Sequence, residues 1–237
     1  MIEPPHFHLF GPSHWAVLIM TVAVPVGLAL LVRRPRGRSW IRPIAYGLAA
    51  LLVVNEVFEI LYVARINPGD LKNHLPFQLC DWVIIACVVA LLCRHQLAYE
   101  LAYLWGLGGT LQAVLTPDLV EDFPRYHFFA FMIAHSGVIA AILFLTLGMR
   151  MRPYPRSILR AFLWSQIYLA VTAGVNLALG TNYGYLCHKP LQASLLDVLG
   201  PWPYYILSLE ALGLVMFALV YAPFAVGDWL RRGRANA

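Results

Sequence analysis

Lysine is nearly absent from this sequence: Lys72 and Lys189 are the only two among 17 basic residues, and charged residues make up just 12% of the chain. With 60% hydrophobic residues and a mean hydropathy of +0.68, its 237 residues carry more apolar surface than a soluble domain of that length can turn inward. Apolar–polar alternation is missing too, which argues against a membrane β-barrel. The four cysteines form no CxxC pair, so neither a zinc ribbon nor a dithiol redox centre is indicated. No HExxH occurs. A net charge of +5 comes without a basic stripe outside the short loops, which sets nucleic acid aside as a partner. The first thirteen residues lack a basic start and contain Glu3, His6 and His8, unlike a cleavable signal peptide. No repeat or low-complexity segment breaks the chain.

What remains is a series of apolar runs, at 14–32, 41–64, 75–93, 97–115, 126–148, 158–179 and 203–226. Each is near the ~20 residues that cross ~30 Å of hydrocarbon as helix. The expected fold is all-α: a polytopic membrane protein, one domain over 1–237, forming a bundle of seven transmembrane helices. Thirteen arginines (the clusters within 33–42, 150–160 and 231–234, with Arg94) fall on one side of these spans. Arg65, Lys72, Arg125 and Lys189 fall on the other. The positive-inside rule then puts the arginine-rich side and the C-terminus in the cytoplasm, and the N-terminus outside. The expected location is the cell (cytoplasmic) membrane, as a multi-pass protein.

Polar residues gather toward the outer ends of these spans. Asn55, Glu56 and Glu59 lie in the outer third of the second, with the two glutamates on one face. His74, Gln78, Cys80 and Asp81 lie in the first turns of the third, and His74, Gln78 and Asp81 share a face there at i, i+4 and i+7. Asp118 ends the fourth. His127 opens the fifth, with His135 roughly 13 Å deeper at 1.5 Å per residue. Asn176 closes the sixth, and Asn182, Tyr183 and Lys189 follow in the next loop. A charge within hydrocarbon costs on the order of 2.5–3.5 kcal/mol, so several at one depth imply a shared pocket. Other readings stand beside that one. Gln78, Asn55 and Asn176 also suit hydrogen bonds between helices. Asp118, with Glu121 and Asp122, suits a solvated loop, and His6, His8 and His14 suit an interface.

Cys80 is the candidate nucleophile, because a thiolate near the outer interface can meet a lipid acyl carbonyl once an imidazole takes its proton. His135 or His74 is the candidate base, and Gln78, Asn55 or Asn182 a candidate oxyanion donor. A disulfide between Cys80 and Cys187 stays open. So do two other functions. In one, His74, His127 and His135 with Asp118 or Asp81 gather a zinc ion for a metal-dependent hydrolase. In the other the pocket belongs to a non-enzymatic receptor or transporter. The leading reading needs no cofactor and no metal. Its partners are a membrane phospholipid or lysophospholipid.

Five motifs carry a resemblance: HLPFQLCDW at 74–82, TPD at 116–118, the helix with His135, NYGYLCHKP at 182–190 and GPWPYY at 200–205. In this order, across nearly the whole chain, they resemble the YwaF-like bacterial integral membrane proteins, related to the eukaryotic transmembrane protein 164 acyltransferase family. The resemblance implies a phospholipid acyltransferase or transacylase in which the cysteine matching Cys80 forms an acyl thioester. The chain carried on the thioester would pass to a lysolipid or to water. His135 matches only by its place in the helix.

Overall fold

The computed structural model describes residues 6–189 and 195–235. Glu3 and the last residue of the NYGYLCHKP motif, Pro190, lie outside the described residues, as do 191–194 of the loop before the last helix. The described chain is helical, with a single antiparallel bridge between His6 and Glu121 and no strand. Its helices are α1 (Pro12–Arg33), α2 (Ile41–Ile66), α3 (Leu79–Cys93), α4 (Gln96–Trp105), α5 (Leu111–Leu115), α6 (Tyr126–Leu143), α7 (Pro155–Leu179) and α8 (Tyr204–Ala235). Two π-helical segments extend them. Gly106–Thr110 joins α4 to α5, and Phe144–Gly148 ends α6.

Five of these helices are long and apolar enough to cross a membrane: α1, α2, α6, α7 and α8. Helix α3 is apolar but shorter. Their outward faces expose large apolar side chains, with Ile19 at 62% and Leu177 at 87%. So many exposed apolar side chains suit a lipid surround and not water. This is an all-helical membrane protein.

Its centre is α4, where every residue from Ala98 to Trp105 is buried. Ala98 and Ala102 let neighbouring helices approach closely, and the polar groups of α4 are satisfied by those neighbours. Tyr99 Oη pairs with Thr146 Oγ1 at 2.9 Å, Tyr103 Oη donates to the Val220 carbonyl at 2.9 Å, and Trp105 Nε1 donates to Ser165 Oγ at 2.9 Å. Glu100, fully buried, accepts from Gln96 Nε2 at 3.0 Å and from Arg160 Nη1 at 3.1 and 3.3 Å. Gly106 sits where α4 meets α3 and α6. A Cβ there would fall 2.3 Å from Ile142 Cδ1 and 3.4 Å from Val83 Cγ1, so only glycine fits without displacement.

The helix ends sort into two sets. At one, Arg33 Nε donates to the Leu147 carbonyl, Arg94 Nη2 to the Met149 carbonyl, and Arg152 forms a forked pair with Asp228. At the other, the Phe7 N–H reaches the Val120 carbonyl, Lys72 Nζ the Leu179 carbonyl, and Tyr126 Oη donates to Glu59. The arginine clusters that flank the spans therefore come together at one end.

Three expectations need correction. The third helix begins at Leu79 and not 75, because Pro76 disfavours helix at Leu75 and Asp81 Oδ2 caps the Gln78 N–H at 2.8 Å. His74 is therefore in a loop, and His74, Gln78 and Asp81 do not share a helical face. The fourth apolar run is not one regular span, since its glycines yield a π-helical segment. His14 is not on the protein surface. It is fully buried, accepting the Phe10 N–H at Nδ1 (3.0 Å) and bonding the Val114 carbonyl through Nε2 (2.8 Å).

Candidate active site

At the end opposite the arginines lies a cavity of about 550 Å³. Helix α2 contributes Asn55, Glu56 and Glu59; the chain from 73 to 81 contributes His74, Gln78, Cys80 and Asp81. The loop after α5 adds Asp118 and Glu121, and α6 adds His127 and His135. Five carboxylates line it, and no Lys or Arg does. Ten residues read from the sequence as site candidates thus meet in one space.

Cys80 is the second residue of α3, so its backbone N–H is one of the donors that a helix start leaves without an intrahelical partner. Its sulfur receives a hydrogen bond from Thr110 Oγ1 at 3.8 Å. Thr110 ends the π-helical segment and was missed from sequence; the signal available was the glycine-rich GLGGT run, which interrupts an apolar span. Among the described residues no imidazole hydrogen-bonds the sulfur. All four cysteines are free, so the Cys80–Cys187 disulfide is not formed; Cys187 Sγ instead donates to the Thr181 carbonyl.

His135 sits on α6 with its ring stacked on Phe131 at 4.1 Å. Nδ1 lies 2.9 Å from the carbonyl of Phe131. A carbonyl only accepts, so in the neutral ring Nδ1 carries the hydrogen and Nε2 keeps the lone pair. The helix thereby holds the tautomer that a general base on the cavity side requires.

His74 is committed differently. Its Nε2 lies 3.2 Å from Asp70 Oδ2 and its Nδ1 3.8 Å from Glu59 Oε1. Asp70 itself accepts from Asn73 Nδ2, and that bond holds its carboxyl below the usual range. With carboxylates on both ring nitrogens, His74 has neither left for a thiol. His127 pairs with Glu121 at 3.0 Å. Asn55 Nδ2 donates to the Ala130 carbonyl at 3.1 Å, tying α2 to α6. Gln78 is anchored by its oxygen: Oε1 accepts the Gly184 N–H at 3.0 Å, which leaves the Nε2 hydrogens as donors on a residue that lines the same cavity as Cys80.

Four candidates do not reach the cavity. Asn176 is buried and locks the turn after α7, donating to the Tyr183 carbonyl at 3.0 Å and accepting from the Tyr183 N–H at 2.8 Å and Thr181 Oγ1 at 2.9 Å. Tyr183 Oη clamps the start of the α3 loop, donating to the Lys72 carbonyl at 2.7 Å and accepting the Leu75 N–H at 2.8 Å. Asn182 spends its amide on His188 and on the N–H groups of Cys187 and His188, so it is no oxyanion donor. Lys189 Nζ lies over the Tyr205 ring at 5.6 Å. Sequence depth alone could not separate these from the lining residues, because side-chain direction in a loop has no periodicity. The metal reading meets a similar difficulty: among the described residues no three His, Cys, Asp or Glu side chains come close enough to hold an ion.

The model of the TMEM164 family matches residues 9–221. A Treponema pallidum (strain Nichols) protein, named only "Uncharacterized protein", is 29% identical over 220 residues, spanning 92% of this chain and 90% of its own. No solved structure matches.

Proposed function

The chain belongs to the TMEM164 family, and from that premise we propose that it is a membrane-embedded phospholipid acyltransferase or transacylase with Cys80 as nucleophile and His135 as base. The observation that carries the reading is His135 in the cavity that holds Cys80, with Nδ1 fixed on the Phe131 carbonyl and Nε2 free to accept a proton.

In the proposed step, the Cys80 sulfur attacks the ester carbonyl of a phospholipid while its proton passes to His135 Nε2. The tetrahedral oxyanion takes hydrogen bonds from Gln78 Nε2 and from the Cys80 backbone N–H, donors that stabilise charge as it develops. The ester C–O bond then breaks, and the leaving alkoxide takes the proton from His135, releasing a lysolipid and an acyl thioester. A second lysolipid hydroxyl, or water, gives its proton to His135, attacks the thioester and regenerates the thiol. Cys80 must turn from Thr110 toward His135 for the first transfer; such bonds are commonly long before substrate arrives. Glu56, Glu59, Asp81, Asp118 and His127 line the space the headgroup would enter.

The topology that accompanies this reading is one domain of seven spans in the cell membrane, N-terminus outside and C-terminus cytoplasmic, the pocket opening to the outer leaflet. What supports it is the meeting of the arginine clusters at the end away from the cavity, as the positive-inside rule expects. An acyl-trapping probe tests the chemistry. It should form a hydroxylamine-sensitive adduct on Cys80 and none on Cys80→Ala; equal labelling of the variant refutes the assignment.

A further inference from the structure

A second cavity, of about 360 Å³, lies apart from the cysteine pocket and is lined almost wholly by apolar side chains. Its α3 wall is Trp82, Ile85, Ala86 and Val89, spaced i, i+3, i+4 and i+7 and so on one helical face. Leu97, Leu101 and Trp105 of α4 form the floor, and Trp164 of α7 closes one side. Ile85 is 54% exposed and Val89 37%, so this is a crevice open sideways to hydrocarbon. From Trp82 to the end of α3 at Cys93 is about 16 Å at 1.5 Å per residue, close to half of the ~30 Å hydrocarbon core. That is the reach of one acyl chain in one leaflet.

The crevice ends at the arginine-rich end of the bundle, and there its chemistry changes. His95, in the lining, caps the start of α4. Its Nδ1 accepts the Ala98 N–H at 3.3 Å, so Nε2 carries the hydrogen and is a donor. On α7, Arg156 and Arg160 precede Trp164 by two turns and one turn, on the same side of the helix, and both are exposed. Arg160 is held by Glu100. Arg156 has no charged partner among the described residues. An apolar slot one leaflet deep, with an imidazole N–H in its lining and an exposed guanidinium two helical turns from Trp164, complements one kind of molecule. We propose that it binds an anionic phospholipid of the leaflet at the arginine-rich end, one acyl chain in the slot and the phosphate on Arg156 and His95. Basic pockets between transmembrane helices recognise anionic headgroups in this way.

The test is native mass spectrometry of the purified full chain in detergent, with dioleoyl phosphatidylglycerol against dioleoyl phosphatidylcholine. Phosphatidylglycerol should be retained preferentially, and Arg156→Gln should cut its retention about fivefold, the weight of one basic residue at a membrane surface. Val89→Trp, at an exposed position, should reduce binding of both lipids by filling the slot. Cys80→Ala should bind like the parent, which separates this site from the acyl-transfer reading. Equal retention of the two lipids, an unchanged preference in Arg156→Gln, or unchanged binding in Val89→Trp would each overturn the proposal. So would displacement of phosphatidylglycerol by millimolar sn-glycerol 3-phosphate, since the site would then be one for free phosphate.

Discussion

Gly180 and Gly184 share one backbone conformation, φ +63°, yet replacing each with alanine should have unequal consequences. The left-handed region costs an L-residue about 1 kcal/mol, and at Gly180 nothing else is lost, because a Cβ there meets no atom within 4 Å. At Gly184 the same Cβ would lie 2.8 Å from Tyr168 Oη and 3.6 Å from its Cζ. That ring has little freedom to withdraw. It is buried and packs edge-on to Trp82 at 5.4 Å, with its hydroxyl donating to the Phe77 carbonyl. Losing that hydrogen bond adds about 1 kcal/mol, and the ring displacement adds packing strain. Gly184→Ala should therefore cost about 2–3 kcal/mol against about 1 for Gly180→Ala. Tryptophan-fluorescence melts in one detergent would read the difference. The effect should also reach the site, because the Gly184 N–H holds Gln78 Oε1. Once Gln78 is loosened, the proposed oxyanion donor is misaimed, and Cys80 acylation should slow toward the level of Gln78→Ala. Removing such a donor elsewhere costs about 10²–10³ in rate. Gly180→Ala should acylate normally. Equal melting losses at the two positions would refute the steric reasoning. A stability gap with unchanged acylation would refute the role of Gln78.

Three other outcomes follow from the same geometry. His135→Ala should slow probe acylation by about 10²–10⁴ in single-turnover labelling, whereas His74→Ala, already committed to Asp70 and Glu59, should slow it far less; the reverse order would reassign the base. Asn176→Leu should lower thermal stability by about 2–4 kcal/mol, since it leaves the Tyr183 N–H and carbonyl and the Thr181 hydroxyl unpaired in a buried turn; a shift under 1 kcal/mol would show that those groups find other partners. Arg160→Gln should cost about 3–5 kcal/mol by stranding a charge on Glu100, and Glu100→Gln clearly less. The Arg160 side chain is 49% exposed and Glu100 is 0%, so only the former can turn to water when its partner is lost; melts of equal depth would contradict this.

Much of the fold was readable because its signals are one-dimensional. Run length and arginine placement depend on sequence order alone, and the apolar runs coincide with helices to within a few residues at most ends. Where they do not, a local feature overrode hydropathy: Pro76 and the Asp81 cap moved the start of α3, and α8 extends into the basic tail, whose charge hydropathy discounts but helix tolerates. The cavity was readable through depth. Glu56, Asp81 and His135 are costly residues that hydrocarbon would exclude unless they share a space. What stayed hidden was pairing. Nothing in the sequence marks Glu100 as the partner of Arg160, 60 positions away, or sets Tyr183 as a clamp on Lys72 and Leu75. Thr110 was hidden for a different reason: a hydroxyl costs so little in an apolar helix that it raises no alarm.

The irregular backbone says more about where chemistry belongs than the polar residues do. Non-helical backbone at membrane depth is tolerated only where protein buries it or a cavity receives it, since each unsatisfied N–H or C=O in hydrocarbon costs several kcal/mol. Among the described residues, the bent entry into α3 at 74–78 is one such departure, and the π-helical Gly106–Thr110, though hydrogen-bonded, breaks the regular α-helical ladder. They come from different parts of the chain, yet both abut the cysteine cavity: one supplies Gln78 and the turn into Cys80, the other Thr110. Regular helices through both places would be simpler to keep in a membrane. A π-helical insertion is commonly found at functional sites, and here it carries the hydroxyl that holds the Cys80 sulfur. If the irregularity serves only packing, Thr110→Val should acylate at the parental rate. If it serves the thiol, Thr110→Val should change the pH profile of Cys80 alkylation and Thr110→Ser should restore it. That comparison requires no knowledge of the lipid.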